Sequence, residues 1–179
     1  MNRILMLGAL CAACLFNSAL AQDVRPVAKV DLDRYVGGWY EIARFPNRFQ
    51  DQCSGNVTAE YSKRTDGEIE VVNRCKKSDG TLEEAIGRGR IVDAITNARL
   101  KVRFAPDWLG WIPFVWADYW IIDLADDYTY AAVGESSREY LWILSRTPTM
   151  SDATYAAIVN RLTEQGFDTA KLVKTRQTP

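Results

Sequence analysis

The sequence predicts an all-β fold: an eight-stranded up-and-down antiparallel barrel, a calyx, carrying one C-terminal amphipathic helix. Three observations carry this expectation. Short segments of alternating apolar and polar residues recur along the chain, separated by turn dipeptides. The alternation changes only once, over residues 151–165, to a helical period. Hydrophobic residues make up 47% and aromatic residues 11% of the 179 positions, enough to fill a core, so the chain is not a disordered one.

Taken in order, residues 1–21 read as an export signal. Asn2-Arg3 is a short charged start, Ile4 to Phe16 is apolar, and Ala19-Leu20-Ala21 is a cleavage motif before Gln22. The apolar run is too short to span a bilayer. Cys11 and Cys14 lie inside it, but a lipoprotein signal usually has Leu three residues before its Cys, and Cys14 has Cys11 there. The expected product is an exported, periplasmic protein with a single domain over 22–179; an outer-membrane lipoprotein is the alternative.

Strands are expected near 37–45, 56–63, 67–75, 83–92, 98–104, 116–124, 128–134 and 139–146. Asp66-Gly67, Asp79-Gly80, Thr96-Asn97, Asp126-Asp127 and Ser136-Ser137 mark turns between them. Leu100, Val102 and Phe104 alternate with Lys101 and Arg103, giving one face in and one face out. Tyr155, Ile158, Val159 and Leu162 then fall at helical spacing, with cap residues before them and Gly166 after. Lys171 to Thr175 can add a short last strand. Eight consecutive strands on short connections describe an up-and-down barrel, able to hold one small ligand. A sandwich of the same strands satisfies the pattern too.

The composition excludes several chemistries. There is no histidine, so a Ser-His-Asp triad, a Cys-His pair and a His-ligated zinc site are all absent. No G-x-S-x-G occurs. No catalytic residue, cofactor or metal is therefore expected. Lys and Arg number 22 against 23 Asp and Glu, a balance that argues against a nucleic-acid partner. Removing the signal leaves two cysteines, Cys53 and Cys75, on either side of the turn at Asp66-Gly67. A bulge of a few residues would set them opposite each other for a disulfide, the expected state in an oxidising compartment; two separate buried thiols are the alternative.

Three motifs add a resemblance. Gly37-Gly38-Trp39 opens the first strand, Asp126-Asp127-Tyr128 forms a late turn, and Arg146 ends the eighth strand. In this order and spacing they resemble the three signatures of the lipocalin family, with Asp126 standing where the family has Thr. The likeness covers nearly the whole exported chain and is greatest to the family's bacterial outer-membrane branch, related to apolipoprotein D. It implies a lipid carrier of the bacterial envelope, storing or transporting fatty acids, lysophospholipids or similar ligands in the barrel. A lipid-modifying enzyme on the same fold and an interaction barrel without a ligand are the alternatives.

Alternation of turns between the two barrel ends places Gly37, Trp39, Asp127, Tyr128 and Arg146 together at one end. Arg146 can lie over the Trp39 indole and bond loop carbonyls, a structural plug. If Trp39 points inward, strand parity also turns Glu41, Ala43, Tyr140, Trp142 and Leu144 inward. Apolar parity adds Ala59, Tyr61, Ile69, Val71, Leu100, Val102 and Phe104 to the expected ligand-binding lining, and the family suggests Tyr119 and Ile121. Ala85, Gly87 and Gly89 lack bulk and open room. The other end is the mouth, bearing Trp108 and Trp111 on an apolar loop that Pro106, Gly110 and Pro113 keep out of a strand. That loop is read as a lid over the mouth, a membrane-surface contact or a homodimer contact.

Overall fold

The computed structural model describes residues 23–178; the expected export signal lies outside the described residues. Eight strands form the wall: β1 (Gly37–Arg44), β2 (Cys53–Lys63), β3 (Ile69–Lys77), β4 (Leu82–Ile91), β5 (Arg99–Arg103), β6 (Ala117–Leu124), β7 (Tyr130–Gly134) and β8 (Leu141–Ser145). Each pairs antiparallel with the next, β8 pairs with β1, and β1 pairs with β2, so the sheet closes on itself. The sandwich is thereby excluded. A ninth strand, β9 (Val173–Lys174), lies against β1. The described residues also form two α-helices, a single turn α1 (Leu32–Tyr35) and the longer α2 (Asp152–Glu164).

Alternation in the sequence becomes two separate cores. Inside the barrel, Trp39, Ala59, Tyr61, Ile69, Val71, Leu100, Ile121, Val133 and Leu144 pack together. On the outer wall, Ile158 and Leu162 of α2 bury against Ile42, Ala43, Ile122, Ala132, Leu141 and Ile143. The Ser151 side chain caps α2 by accepting the Thr154 N–H. Gly166, at φ +83°, supplies the left-handed residue that ends it.

Two bulges reset the parity. On β1 the register shifts between Glu41 and Ala43. Ala43 therefore turns outward into the core beneath α2, not inward as alternation from Trp39 predicts, and Arg44 takes the inward place opposite Trp142. On β6 the register shifts between Ile121 and Asp123, so Ile121 fills the inner core while Ile122 and Asp123 both face the outer wall, where Asp123 accepts from Arg161 of α2. Bulges between Cys53 and Thr58 serve the disulfide: they bring Cys53 beside Cys75, with Cα atoms 5.6 Å apart and a bond between the sulfurs. It staples β2 to β3 at the mouth end.

Candidate functional site: the barrel bore

The closed end is sealed by the three signature motifs. The Arg146 guanidinium lies 3.7 Å from the Trp39 ring centroid and donates to the carbonyls of Arg34, Tyr35, Val36 and Gly38 at 2.7–3.1 Å. Trp39 is fully buried, and its indole N–H donates to the Tyr35 carbonyl. The Asp127 carboxylate accepts the Thr129 N–H and hydroxyl, closing the turn that sets Tyr128 at φ +63°. The Tyr128 hydroxyl then accepts the Asp31 N–H, and Arg34 stacks on its ring. The N-terminal arm passes beneath, its Val30 N–H donating to the Thr96 carbonyl. These residues tie the arm, α1, two turns and β8 into one floor.

Above that floor three tyrosines meet. The hydroxyl of Tyr119 on β6 lies 2.8 Å from that of Tyr61 on β2 and 2.8 Å from that of Tyr35 on α1. Strands β2 and β6 are opposite each other in an eight-stranded ring, so this contact spans the bore. Burial pushes the Tyr61 phenol up to about 12 and holds Tyr35 and Tyr119 well above the ordinary tyrosine value, so all three stay neutral. Beside them Leu32, Val36, Ile69, Val71, Gly89, Leu100 and Val102 leave a cavity of about 10 Å³, room for about one water.

The upper bore differs. Ala85 and Ala117 sit on the inward face, in register with Asn73 and Val102, yet both are exposed. The space before them is open to solvent. Tyr140 and Trp142 stack at 5.9 Å along β8, and Phe49 of the β1–β2 connection packs on Tyr140. Beneath the aromatic wall is a polar cluster. Glu41 is 3% exposed, accepts from Gln50 Nε2 at 2.7 Å and from the Thr175 hydroxyl, and lies 3.4 Å from Arg44 Nε. Gln50 Oε1 accepts from Trp142 Nε1 and Asn47 Nδ2. Burial pushes the Glu41 carboxyl up, against the opposing pull of Thr175, Gln50 and Arg44. Among the described residues no group of three or more Cys, Asp or Glu side chains is placed to hold a metal ion.

Of the expected lining, Ala59, Tyr61, Ile69, Val71, Leu100, Tyr119 and Ile121 lie in the inner core, at or below the tyrosines, with Val102, Tyr140 and Trp142 around the open section. Phe104 follows β5, which ends at Arg103; its ring, 44% exposed, lies over the face of Gly87 that is in register with Val71, and it borders a 320 Å³ groove with Arg64, Glu70, Ile86 and Arg88.

The tryptophan loop departs from the lid reading. The connection after β5 folds back over the outer wall, carrying two short turns, Asp107–Leu109 and Pro113–Val115. Asp107 accepts from Arg88 and Arg103, whose strand positions face outward. Trp116 lies between the Arg90 and Arg103 guanidiniums, 4.5 and 5.0 Å from its ring centroid, and donates its indole N–H to the Gly110 carbonyl. Trp108, Trp111 and Phe114 are left 73%, 80% and 87% exposed. The arginine pairs that pin the loop sit on outward strand positions, which is why it turns away from the mouth.

Parity from Trp39 misses Arg44, because a bulge has no signature in alternation. It also misses Tyr35, which lies before the first strand, and Gln50, which lies in a connection. The signal for Tyr35 was its position two residues before Gly37, which places it beneath the barrel.

Comparison with known proteins agrees with this geometry. Residues 30–177 match the family model of the lipocalin-like domain. The chain is 40% identical over 158 residues to temperature-induced lipocalin-1 of Arabidopsis thaliana, covering 87% of this chain and 84% of that one. It is 39% identical over 157 residues to the outer membrane lipoprotein Blc of Escherichia coli K12, with the same coverage of 87% and 84%. Mouse apolipoprotein D is 34% identical over 92% of this chain and 90% of its own. Among solved structures, insecticyanin of Manduca sexta superposes with a TM-score of 0.68 at 22% identity, over 88% of this chain and 86% of that one. With its closed barrel, its sealed floor and a family match over residues 30–177, the chain belongs to the lipocalin family.

Proposed function

We propose that the protein is a carrier of single-chain lipids, fatty acids or lysophospholipids, in the bacterial envelope, one per barrel. The observation that carries this reading is the open upper bore. Ala85 and Ala117 face inward and are solvent-exposed, with Val102, Trp142 and Tyr140 as an apolar wall around them. Burial of an acyl chain there gains about 0.8 kcal/mol per methylene before ordering costs. Arg44, level with Trp142 on the inner wall and held there by Glu41, suits the polar end of such a lipid, so the chain enters tail first. The role is binding, not turnover of lipid esters.

Export to the envelope is supported by the N-terminal pattern of the sequence and by relatives named outer membrane lipoprotein in Escherichia coli and Vibrio cholerae. Trp108, Trp111 and Phe114 then have a place. Exposed indoles and a phenyl on one outward loop suit the interface of a bilayer, where a carrier collects its lipid.

Native mass spectrometry of the purified protein tests the carrier reading. One lipid-sized adduct per chain is expected, or saturable uptake of palmitate by delipidated protein at one per chain. Absence of both, or release of fatty acid from a lipid ester, refutes it.

A further inference from the structure

Across the bore the Tyr61 and Tyr119 hydroxyls touch at 2.8 Å from opposite strands, and Tyr35 braces Tyr119 from below at the same distance. The rings of Tyr61 and Tyr119 pack edge to face at 6.1 Å, and those of Tyr35 and Tyr61 lie 5.7 Å apart. The space left beside them, about 10 Å³, has room for about one water-sized group and none for a length of acyl chain. Immediately above, small inward residues leave the bore open: Ala85 on β4 and Ala117 on β6, the latter two positions from Tyr119.

We propose that this tyrosine crossbar is the length gauge of the site: it stops the methyl end of the acyl chain and fixes how much chain the barrel buries. The inference rests on the carrier reading and adds its specificity. Two inward positions lie above the crossbar tier on β3 (Asn73, Cys75) and on β4 (Ala85, Glu83). Four residues of tilted strand give about 10 Å of height, roughly the length of eight extended methylenes. Longer chains leave their remaining methylenes at the rim.

The crossbar resists insertion for a physical reason. Parting the hydroxyls to admit a chain would leave them facing hydrocarbon with no replacement partner, a cost that an acyl chain cannot return. A saturated tail therefore stops where the phenols begin.

The test is a calorimetric titration of delipidated protein with a series of saturated fatty acids, from hexanoate to stearate, each below its micelle threshold. Affinity is expected to rise about fourfold per methylene for the first members and then to level off. In Tyr119→Ala the plateau should move to chains several carbons longer, whereas Tyr119→Phe, which keeps the bulk, should leave it in place. Ala117→Phe fills the exposed bore from above and should shorten the plateau without touching the packed core, so it decides the matter if Tyr119→Ala does not fold. Affinity that climbs without a plateau to stearate overturns the gauge, as does a plateau indifferent to Ala117→Phe. Failure of every fatty acid to bind overturns the carrier reading and the gauge with it; binding with the wrong length dependence overturns the gauge alone.

Discussion

Replacing Arg146 with Ala removes the side chain that ties the barrel floor together. Its guanidinium donates to five carbonyls, those of Gly38, Tyr128 and the consecutive residues Arg34, Tyr35 and Val36. Charge-assisted bonds contribute about 1.5–3 kcal/mol each when their acceptors are sealed from water. Arg146 is half-buried, so water takes over at the rim, and the Tyr35 carbonyl keeps the Trp39 indole as a second donor. One such bond's worth is the reasonable net loss. The cation–π contact with Trp39 at 3.7 Å adds about 1–2 kcal/mol. The expected cost is about 3 kcal/mol, which for a domain of this size lowers Tm by roughly 6–12 °C. Arg146→Lys keeps a cation over the indole but cannot span the carbonyls, and should lose about half as much. Urea unfolding followed by tryptophan fluorescence measures both. An Arg146→Ala protein with unchanged midpoint and slope, or one with normal stability and lost lipid affinity, would refute the floor argument.

Three other perturbations follow from the same geometry. Replacing Cys53 and Cys75 by Ser opens a loop spanning 22 residues and should cost about 3 kcal/mol in urea unfolding; alkylation of the unreduced protein should find no free thiol at either position, and finding two would contradict the bridge. Glu41 binds its proton more tightly folded than unfolded, so its share of stability falls as pH rises from the ordinary glutamate value through the raised folded one. Glu41→Gln should flatten that fall relative to the parent protein; an unaltered difference between acid and neutral unfolding midpoints would count against it. Trp108→Ser with Trp111→Ser should slow lipid uptake from vesicles and leave uptake from solution intact, while equal loss from both would restore the lid reading, and a change in oligomeric state alone would point to a second copy.

Strand positions were legible because alternation is enforced wherever one face is packed: Ile69 and Val71 between Glu68 and Glu70, or Leu100 and Val102 between charged neighbours. The floor was legible because Trp39, Asp127, Tyr128 and Arg146 each do one unsubstitutable thing there. The end of β5 was not, because pattern cannot say that the strand stops at Arg103, where the arginine binds Asp107 and draws the following loop outward. The loop's outward fold has the same cause: ion pairs between Arg88, Arg103 and Asp107 connect residues far apart in sequence, with no periodic trace. Nor does alternation distinguish a packed lower bore from an open upper one. That depends on how far Tyr35, Tyr61 and Tyr119 reach across the barrel.

The bulge on β1 is where departure from pattern matters most for the site. Without it, Ala43 would face the bore and Arg44 the outer wall beneath α2, burying a guanidinium among Ile158, Leu162 and Phe167. With it, the aliphatic residues Ile42 and Ala43 both serve the helix-facing core, and Arg44 is carried to the inner wall beside Trp142. The same shift sets Arg44 next to Glu41, which otherwise has only neutral donors from Gln50 and Thr175. One inserted residue thus separates an apolar outer seam from a polar inner collar. The bore is divided by this step: phenols locked to one another in its lower part, an open apolar wall above them, and Arg44 and Glu41 set into that wall on β1, level with Trp142 and Leu144. A ligand with one polar end and one saturated tail matches that sequence of surfaces, whereas a wholly apolar one would leave Arg44 and Glu41 covered by hydrocarbon.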